Sequence, residues 1–214
     1  MSTRISDRGH TASKREFRAP RQARSRATVD AIIEATARVL ALRGYAGCTT
    51  NHIAEVAGVS VGSFYQYFSD KDAAVVELAN RVADESLAYS WDHIADADND
   101  QSRVDAWLSA LAARAANQEG LLRVLFQQVP YIWSTPGVRR AMLGALDVVA
   151  QLDPRQQEAD DNGHERALII VKSVVAVLLE IATNDTLRGR RDAVVHELTA
   201  MISSYLFAND RAAE

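Results

Sequence analysis

Apolar residues recur at spacings of three and four along almost the whole chain, and no run of alternating apolar and polar positions competes with them. The pattern therefore predicts helices throughout and an all-α fold. Residues 27–43 set Ile32, Ile33, Ala37, Leu40 and Ala41 on one stripe, and Gly44 acts as the stop signal. A short helix over 50–56 follows, with Thr49 as its hydroxyl cap and Ile53, Ala54 and Ala57 on the inner face. Gly58 stands where the chain must turn sharply, which glycine does at positive φ without steric cost. Val59 plugs the turn, and Ser60 caps a helix over 61–68 that turns Phe64 and Phe68 inward. Ser63, Gln66 and Tyr67 are left facing out, with Tyr65 on the flank. Two short helices joined this way form a helix-turn-helix.

Beyond it, Ser69 or Asp70 caps a fourth helix whose apolar positions Val75, Val76, Leu78, Ala79, Val82 and Leu87 carry it towards Trp91 and into a second domain. The acidic run 92–100 predicts a loop. Helical patterns then cover 104–117, 121–128, 136–152, about 165–184 and 192–207, separated by polar connections at 153–163 and 186–191. The segment 168–182 is apolar nearly all round, unlike an ordinary surface helix. The last helix offers a similarly broad face. Such a helix is either buried inside the domain or packs on its own core with one side and on a second subunit with the other.

The segment 44–71 carries a closer likeness. Gly44-Tyr45, Thr49, Ile53-Ala54, Ala57-Gly58-Val59-Ser60, Gly62, Tyr65, Tyr67-Phe68 and Lys71 together resemble the DNA-binding signature of the TetR family of bacterial transcriptional regulators. The match covers roughly residues 26–80. Cys48, Asp72 and Ala74 depart from the usual pattern, conservatively in size or charge. After about residue 80 the likeness is one of architecture only. The expected division is a basic flexible arm over 1–25, a helix-turn-helix domain over 26–72, and, as the resemblance implies, a helical regulatory and dimerisation domain over 73–210. The resemblance also implies a two-fold dimer in which the last two long helices pair with their symmetry mates. Val174, Leu178, Leu198, Met201, Ile202 and Tyr205 are the residues expected at that interface.

Charge adds an asymmetry. Eight Lys/Arg stand against Asp7 and Glu16 in residues 1–27, so a net charge of −4 leaves the remainder at −10. A basic arm beside a helix-turn-helix suits phosphates and the acidic body does not; the alternative is a tail that only solubilises the chain. The single cysteine, Cys48, excludes an intramolecular disulfide framework and fits a reducing cytoplasm, where it reads as a small packed residue. The N-terminus lacks the apolar run of a secretory signal. The stretch 168–182 is interrupted by Lys172, Ser173 and Glu180 and is short for a bilayer. A cytoplasmic protein with no membrane partner is expected.

Enzyme chemistry finds no footing. His164-Glu165 and His196-Glu197 open a zinc-protease motif, but Leu168 and Ala200 stand where its second histidine belongs. There is no phosphate-binding glycine loop, nucleophile elbow or cysteine cluster, so neither a metal nor a cofactor is expected.

Double-stranded DNA with a palindromic operator is the expected partner. Val61, Gly62 and Ser63 occupy the end of the recognition helix that meets base edges. Gly62 allows close backbone approach, Val61 suits a thymine methyl, and Gln66 suits a bidentate contact to adenine. Tyr65 and Tyr67 diverge towards the two backbones, as the matching family positions do, while Lys71 and the Thr49 cap add phosphate contacts. Asn51 or His52 is a further contact. In the larger domain, Trp91, Trp107, Phe126, Tyr131, Trp133 and Met142 are the candidate lining of an effector pocket, with Gln127 and Gln128 as polar anchors. The resemblance implies a repressor released by an apolar or aromatic small molecule. The alternative is a ligand-independent helix-turn-helix protein, architectural or controlled by a partner, and a pocket separates the two.

Overall fold

A computed structural model of the chain describes residues 21–95, 100–157 and 162–207. The described residues form nine α-helices and no strand: α1 (Arg21–Gly47), α2 (Thr50–Ala57), α3 (Val61–Tyr65), α4 (Lys71–Ala95), α5 (Asp100–Asn117), α6 (Glu119–Gln128), α7 (Pro136–Leu152), α8 (Gly163–Thr183) and α9 (Arg191–Phe207). Helix α1 starts at Arg21, ahead of the expected 27, and residues 1–20 of the basic arm lie outside the described residues.

Gly44 interrupts α1 as expected, with φ +67° and ψ 176°. A Cβ there would lie 2.7 Å from Gln128 Oε1, so conformation and packing both require glycine. Ala41 does not join the inner stripe but is exposed; Ala35, Thr36 and Val39 are buried instead. Thr36 is tolerated in the core because its hydroxyl donates to Ile32 O at 2.7 Å.

Two further boundaries differ. Helix α3 stops at Tyr65, short of 68. The Gln66 and Tyr67 amides reach back only three residues, to Ser63 O at 3.2 Å and Phe64 O at 3.0 Å. The Phe68 amide returns four residues to Phe64 O at 3.0 Å, and Phe68 faces inward onto Phe64 as expected, with ring centroids 5.7 Å apart. The acidic run 92–100 is not a single loop. Ile94, 2% exposed, enters the core and carries α4 through Ala95, while α5 begins at Asp100.

Two cores result. The first joins α1, α2, α3 and the start of α4, but it also takes in Val124, Leu125, Val129 and Ile132 from α6 and the segment after it. A boundary at residue 72 therefore divides the sequence, not the packing. The second core holds α5, α7, α8 and α9 around the distal half of α4. Helix α7 approaches α4 through glycines. A Cβ at Gly137 would fall 2.4 Å from Asn80 Cα, and the Gly137 amide donates to Asn80 Oδ1 at 2.6 Å. Gly144, two turns on, leaves room for Leu87.

The expected interface residues split. Val174, Leu198 and Ile202 are buried in the protomer's own second core, and Leu178 packs against it half-buried. Met201 and Tyr205 remain exposed at 53% and 41%, joined on α8 by Leu168 and Ile169. On α8, Leu168 and Ile169 are exposed alongside Glu165 and Lys172, so apolar character alone does not separate its inner from its outer face.

Candidate functional site

The helix-turn-helix is fixed by local chemistry. Thr49 Oγ1 accepts from the His52 amide at 3.2 Å, and Gly58 sits in the left-handed region at φ +68°, its amide returning to α2 carbonyls. Ser60 Oγ accepts from the Ser63 amide at 3.0 Å. Asp70 Oδ1 accepts from the Ala73 amide at 2.8 Å and opens α4. That backbone hydrogen bond, with one from Ser69, holds the Asp70 carboxyl below the usual carboxylate range. Ile53 and Phe64 are fully buried, so the two helices present one defined outer surface.

On that surface Thr49, Val61, Gly62, Tyr65 and Gln66 are exposed, and Ser63 and Tyr67 are half-buried. The Tyr65 hydroxyl lies 3.4 Å from Thr50 Oγ1, which brings the first residue of α2 and the end of α3 together. Ser63 Oγ is 2.9 Å from Ser60 Oγ, so part of its bonding capacity is used locally. The only neighbour a Cβ at Gly62 would meet is Ser60 Oγ, at an ordinary 3.8 Å, so nothing inside the protein demands glycine there. Gln66 is the C-cap of α3, not a mid-helix residue.

Lys71 is placed differently from the expected phosphate-facing cation. It is half-buried, its Nζ donates to Tyr45 O at 2.9 Å, and it lies 4.0 Å from the centre of the Tyr45 ring. Arg43 was not foreseen. It is exposed, and its Nη1 is 3.4 Å from His52 Nε2 beside the α2 cap. Only the fold brings the end of α1 to that point, so no sequence spacing could have revealed it.

Tyr45 ties this domain to the larger one. Its amide donates to Gln128 Oε1 at 3.0 Å, and its hydroxyl donates to Asp72 Oδ1 at 2.9 Å. Tyr131 meets its ring edge-on with centroids 6.3 Å apart. Burial, followed by the Asp72 hydrogen bond, raises the Tyr45 pKa, and burial raises that of Tyr131 as well. Phe126 stacks at a tilt on Trp133, 4.9 Å between centroids. Phe126 and Tyr131 pack against the first core, and none of these three aromatics lines the cavity.

The cavity lies between α4, α5, α7 and α8 and measures about 180 Å³. Of the six expected lining residues, Trp107 and Met142 line it. Trp91 is half-buried against the second core instead. Leu87, Leu111, Ala145, Val171, Val174, Val175 and Leu178 form most of the apolar wall, and Ser86, Ser90, Arg114 and Gln118 its polar part. Alternation of a few polar residues within an apolar helix face was the available signal on α4 and α5, but large aromatics drew the expectation elsewhere.

Cys48 is completely buried, and burial raises its thiol pKa. Among the described residues no helix is long and apolar enough to cross a membrane.

Comparison with known proteins agrees with this geometry. Residues 32–78 match the family model of bacterial regulatory proteins of the tetR family. No curated protein matches the chain in sequence. Solved structures share its fold over most of its length. The fatty acid degradation regulator FadR from Bacillus halodurans aligns with a TM-score of 0.65 at 19% identity, over 82% of this chain and 94% of its own. FadR from Bacillus subtilis, solved with stearoyl-CoA, gives 0.63 at 17%, over 83% and 97%. A TetR-family transcriptional regulator from Pectobacterium atrosepticum gives 0.70 at 16%, over 87% and 98%. The helix-turn-helix domain of this chain belongs to the TetR family of bacterial regulatory proteins, and the chain around it has the fold of TetR-family transcriptional regulators.

Proposed function

We propose that this TetR-family regulator binds a palindromic operator as a homodimer, represses from it, and is released by a small molecule held in the α4–α5–α7–α8 cavity. The observation that carries the reading is the position of the cavity against α4. That helix begins three residues after Phe68 of the helix-turn-helix core and contributes Ser86, Leu87 and Ser90 to the cavity wall. A ligand that repositions α4 moves the recognition helix with it. A shift of the two recognition helices spoils their match to half-sites about 34 Å apart, or a multiple of that. This also favours the ligand-responsive reading over a ligand-independent DNA binder.

The reader residues are Val61, Gly62, Ser63 and Gln66, with Thr49, Tyr65, Tyr67 and Arg43 on phosphates. Lys71 acts through Tyr45, holding the end of α1 against the start of α4. The basic arm adds sequence-independent attraction. The exposed faces of α8 and α9, with Leu168, Ile169, Met201 and Tyr205, form the two-fold contact.

Binding of stearoyl-CoA by a protein of the same fold supports a ligand role for this domain. The ligand here is smaller: a cavity of about 180 Å³ is close to the ~150 Å³ that accommodates benzene in a protein core. Selection of genomic fragments bound by the full chain, followed by a screen for compounds that release them, tests the function. Failure to enrich any inverted-repeat sequence would refute it.

A further inference from the structure

The cavity's polar groups are few and alike. Trp107, Leu111 and Arg114 fall on one face of α5 at intervals of four and three residues, Gln118 follows just past its end, and all four line the cavity. Arg114 is the one charged residue of that lining. Its Nε donates to Ser86 Oγ at 3.2 Å and its Nη2 to Glu85 at 2.9 Å, which uses two of five guanidinium donors. Two turns earlier, about 10 Å along the helix, Trp107 is 2% exposed, and its Nε1–H has no acceptor among the described residues. The apolar wall thus has an indole towards one end and a cation towards the other.

Resting on the cavity reading above, we propose that the ligand is a small carboxylic acid with a single apolar ring, its carboxylate on Arg114 and its far end against Trp107. Size sets the ring, because about 180 Å³ is little more than the ~150 Å³ that takes benzene. Charge sets the acid, because a carboxylate is ionised at neutral pH and matches the planar fork of a guanidinium in two parallel bonds. Arg114 also lies over the Tyr89 ring, 5.6 Å from its centre, which steadies the cation.

The acid enters by exchange. Glu85 is on α4 and its side chain is 63% exposed, so it returns to water at little cost when another carboxylate takes its place. Ser86 keeps its bond to Val82 O at 2.7 Å after Arg114 turns away. Exchange therefore severs a tie between α5 and α4 that a neutral ligand of the same shape leaves intact. The anion is what makes binding visible to α4.

The probes are benzoate, phenylacetate and cyclohexanecarboxylate, each paired with its primary amide, and calorimetry on the full-length protein reads binding. At least one acid is expected to bind tenfold or more tighter than its amide. Arg114→Gln should bring that ratio to near one while leaving the amide unchanged. Glu85→Gln, at an exposed site outside the cavity wall, should raise acid affinity several-fold and leave the amide alone; it also keeps the test open should the arginine variant fail to fold. Equal binding of acid and amide to the wild type would overturn the acid preference while leaving the cavity reading standing. Acid preference that persists in Arg114→Gln would overturn the role of Arg114. No binding by any pair at millimolar concentration would overturn the cavity reading together with the proposal.

Discussion

Gly62→Ala separates what the fold needs from what DNA needs. Gly62 is the second residue of α3 and is exposed, and a Cβ there would meet only Ser60 Oγ at 3.8 Å. No strain follows, and removing glycine from a helix gains up to about 1 kcal/mol. For a chain of this size that is a rise of roughly 2–4 °C in Tm. In the proposed docking the same methyl group would lie between the backbone of α3 and the base edges. Overfilling a closely packed contact costs about 1–3 kcal/mol, and a dimer meets it in both half-sites. Operator affinity should therefore fall about thirty-fold or more, since 1.4 kcal/mol is a factor of ten. Fluorescence anisotropy at fixed salt on a selected operator, beside thermal melting of the protein alone, reads both effects. Unchanged operator affinity would refute the close backbone approach. A lowered Tm would show that the glycine serves the fold instead.

Gln66→Ala should relax preference at one base pair per half-site by ~1–3 kcal/mol, read by repeating the fragment selection, whereas Tyr65→Phe should weaken selected and scrambled sites alike. Ile169→Arg and Met201→Arg, at residues 55% and 53% exposed in the protomer, should give folded monomers by sedimentation with lost operator affinity; Ile202→Arg, 1% exposed, should unfold the chain, because an unpaired buried charge costs several kcal/mol. Burial pushes the Asp153 carboxyl up, but hydrogen bonds from Arg166 and Arg155 outweigh it and hold the pKa below the usual carboxylate range. Its stabilisation is therefore present above the unfolded carboxylate value and is lost as pH falls through the lower folded one, and Asp153→Asn should remove that part of the acid transition in a pH-dependent melt. Gly137→Ala should drive α7 off Asn80 and change operator affinity as well as stability, because the clash is with α4 backbone at 2.4 Å.

The DNA-binding half was legible because its signals are local. Thr49, Gly58, Ser60 and Asp70 each act within four residues, so caps and turns could be read one at a time. Helix α3 ends before Phe68 because the Gln66 and Tyr67 amides reach back only three residues, although Phe68 keeps the four-residue bond to Phe64 that its spacing suggests. The larger domain gave up its helices but not its faces. In α8 nearly every position is apolar, so Val174 in the core and Ile169 at the surface look the same in sequence. Trp107 and Met142 apart, the cavity lining is not conspicuous in sequence: Phe126, Tyr131 and Trp133 are the prominent aromatics, but α6 and the segment after it lie against α1. Tyr45 and Gln128, 83 positions apart, could be joined only by the fold.

The most direct measurement is a reciprocal titration of the full-length protein with a selected operator and a cavity ligand. Operator affinity is measured with and without saturating ligand, and ligand affinity with and without saturating operator. Both should fall by the same factor, since linkage is reciprocal, with a coupling of ~1–3 kcal/mol. Trp107→Phe, rather than Trp91→Phe, should remove the ligand's effect on tryptophan fluorescence, because Trp107 lines the cavity and Trp91 does not. A ligand seated against Trp107 that leaves operator affinity unchanged would contradict the coupling of cavity to DNA through α4.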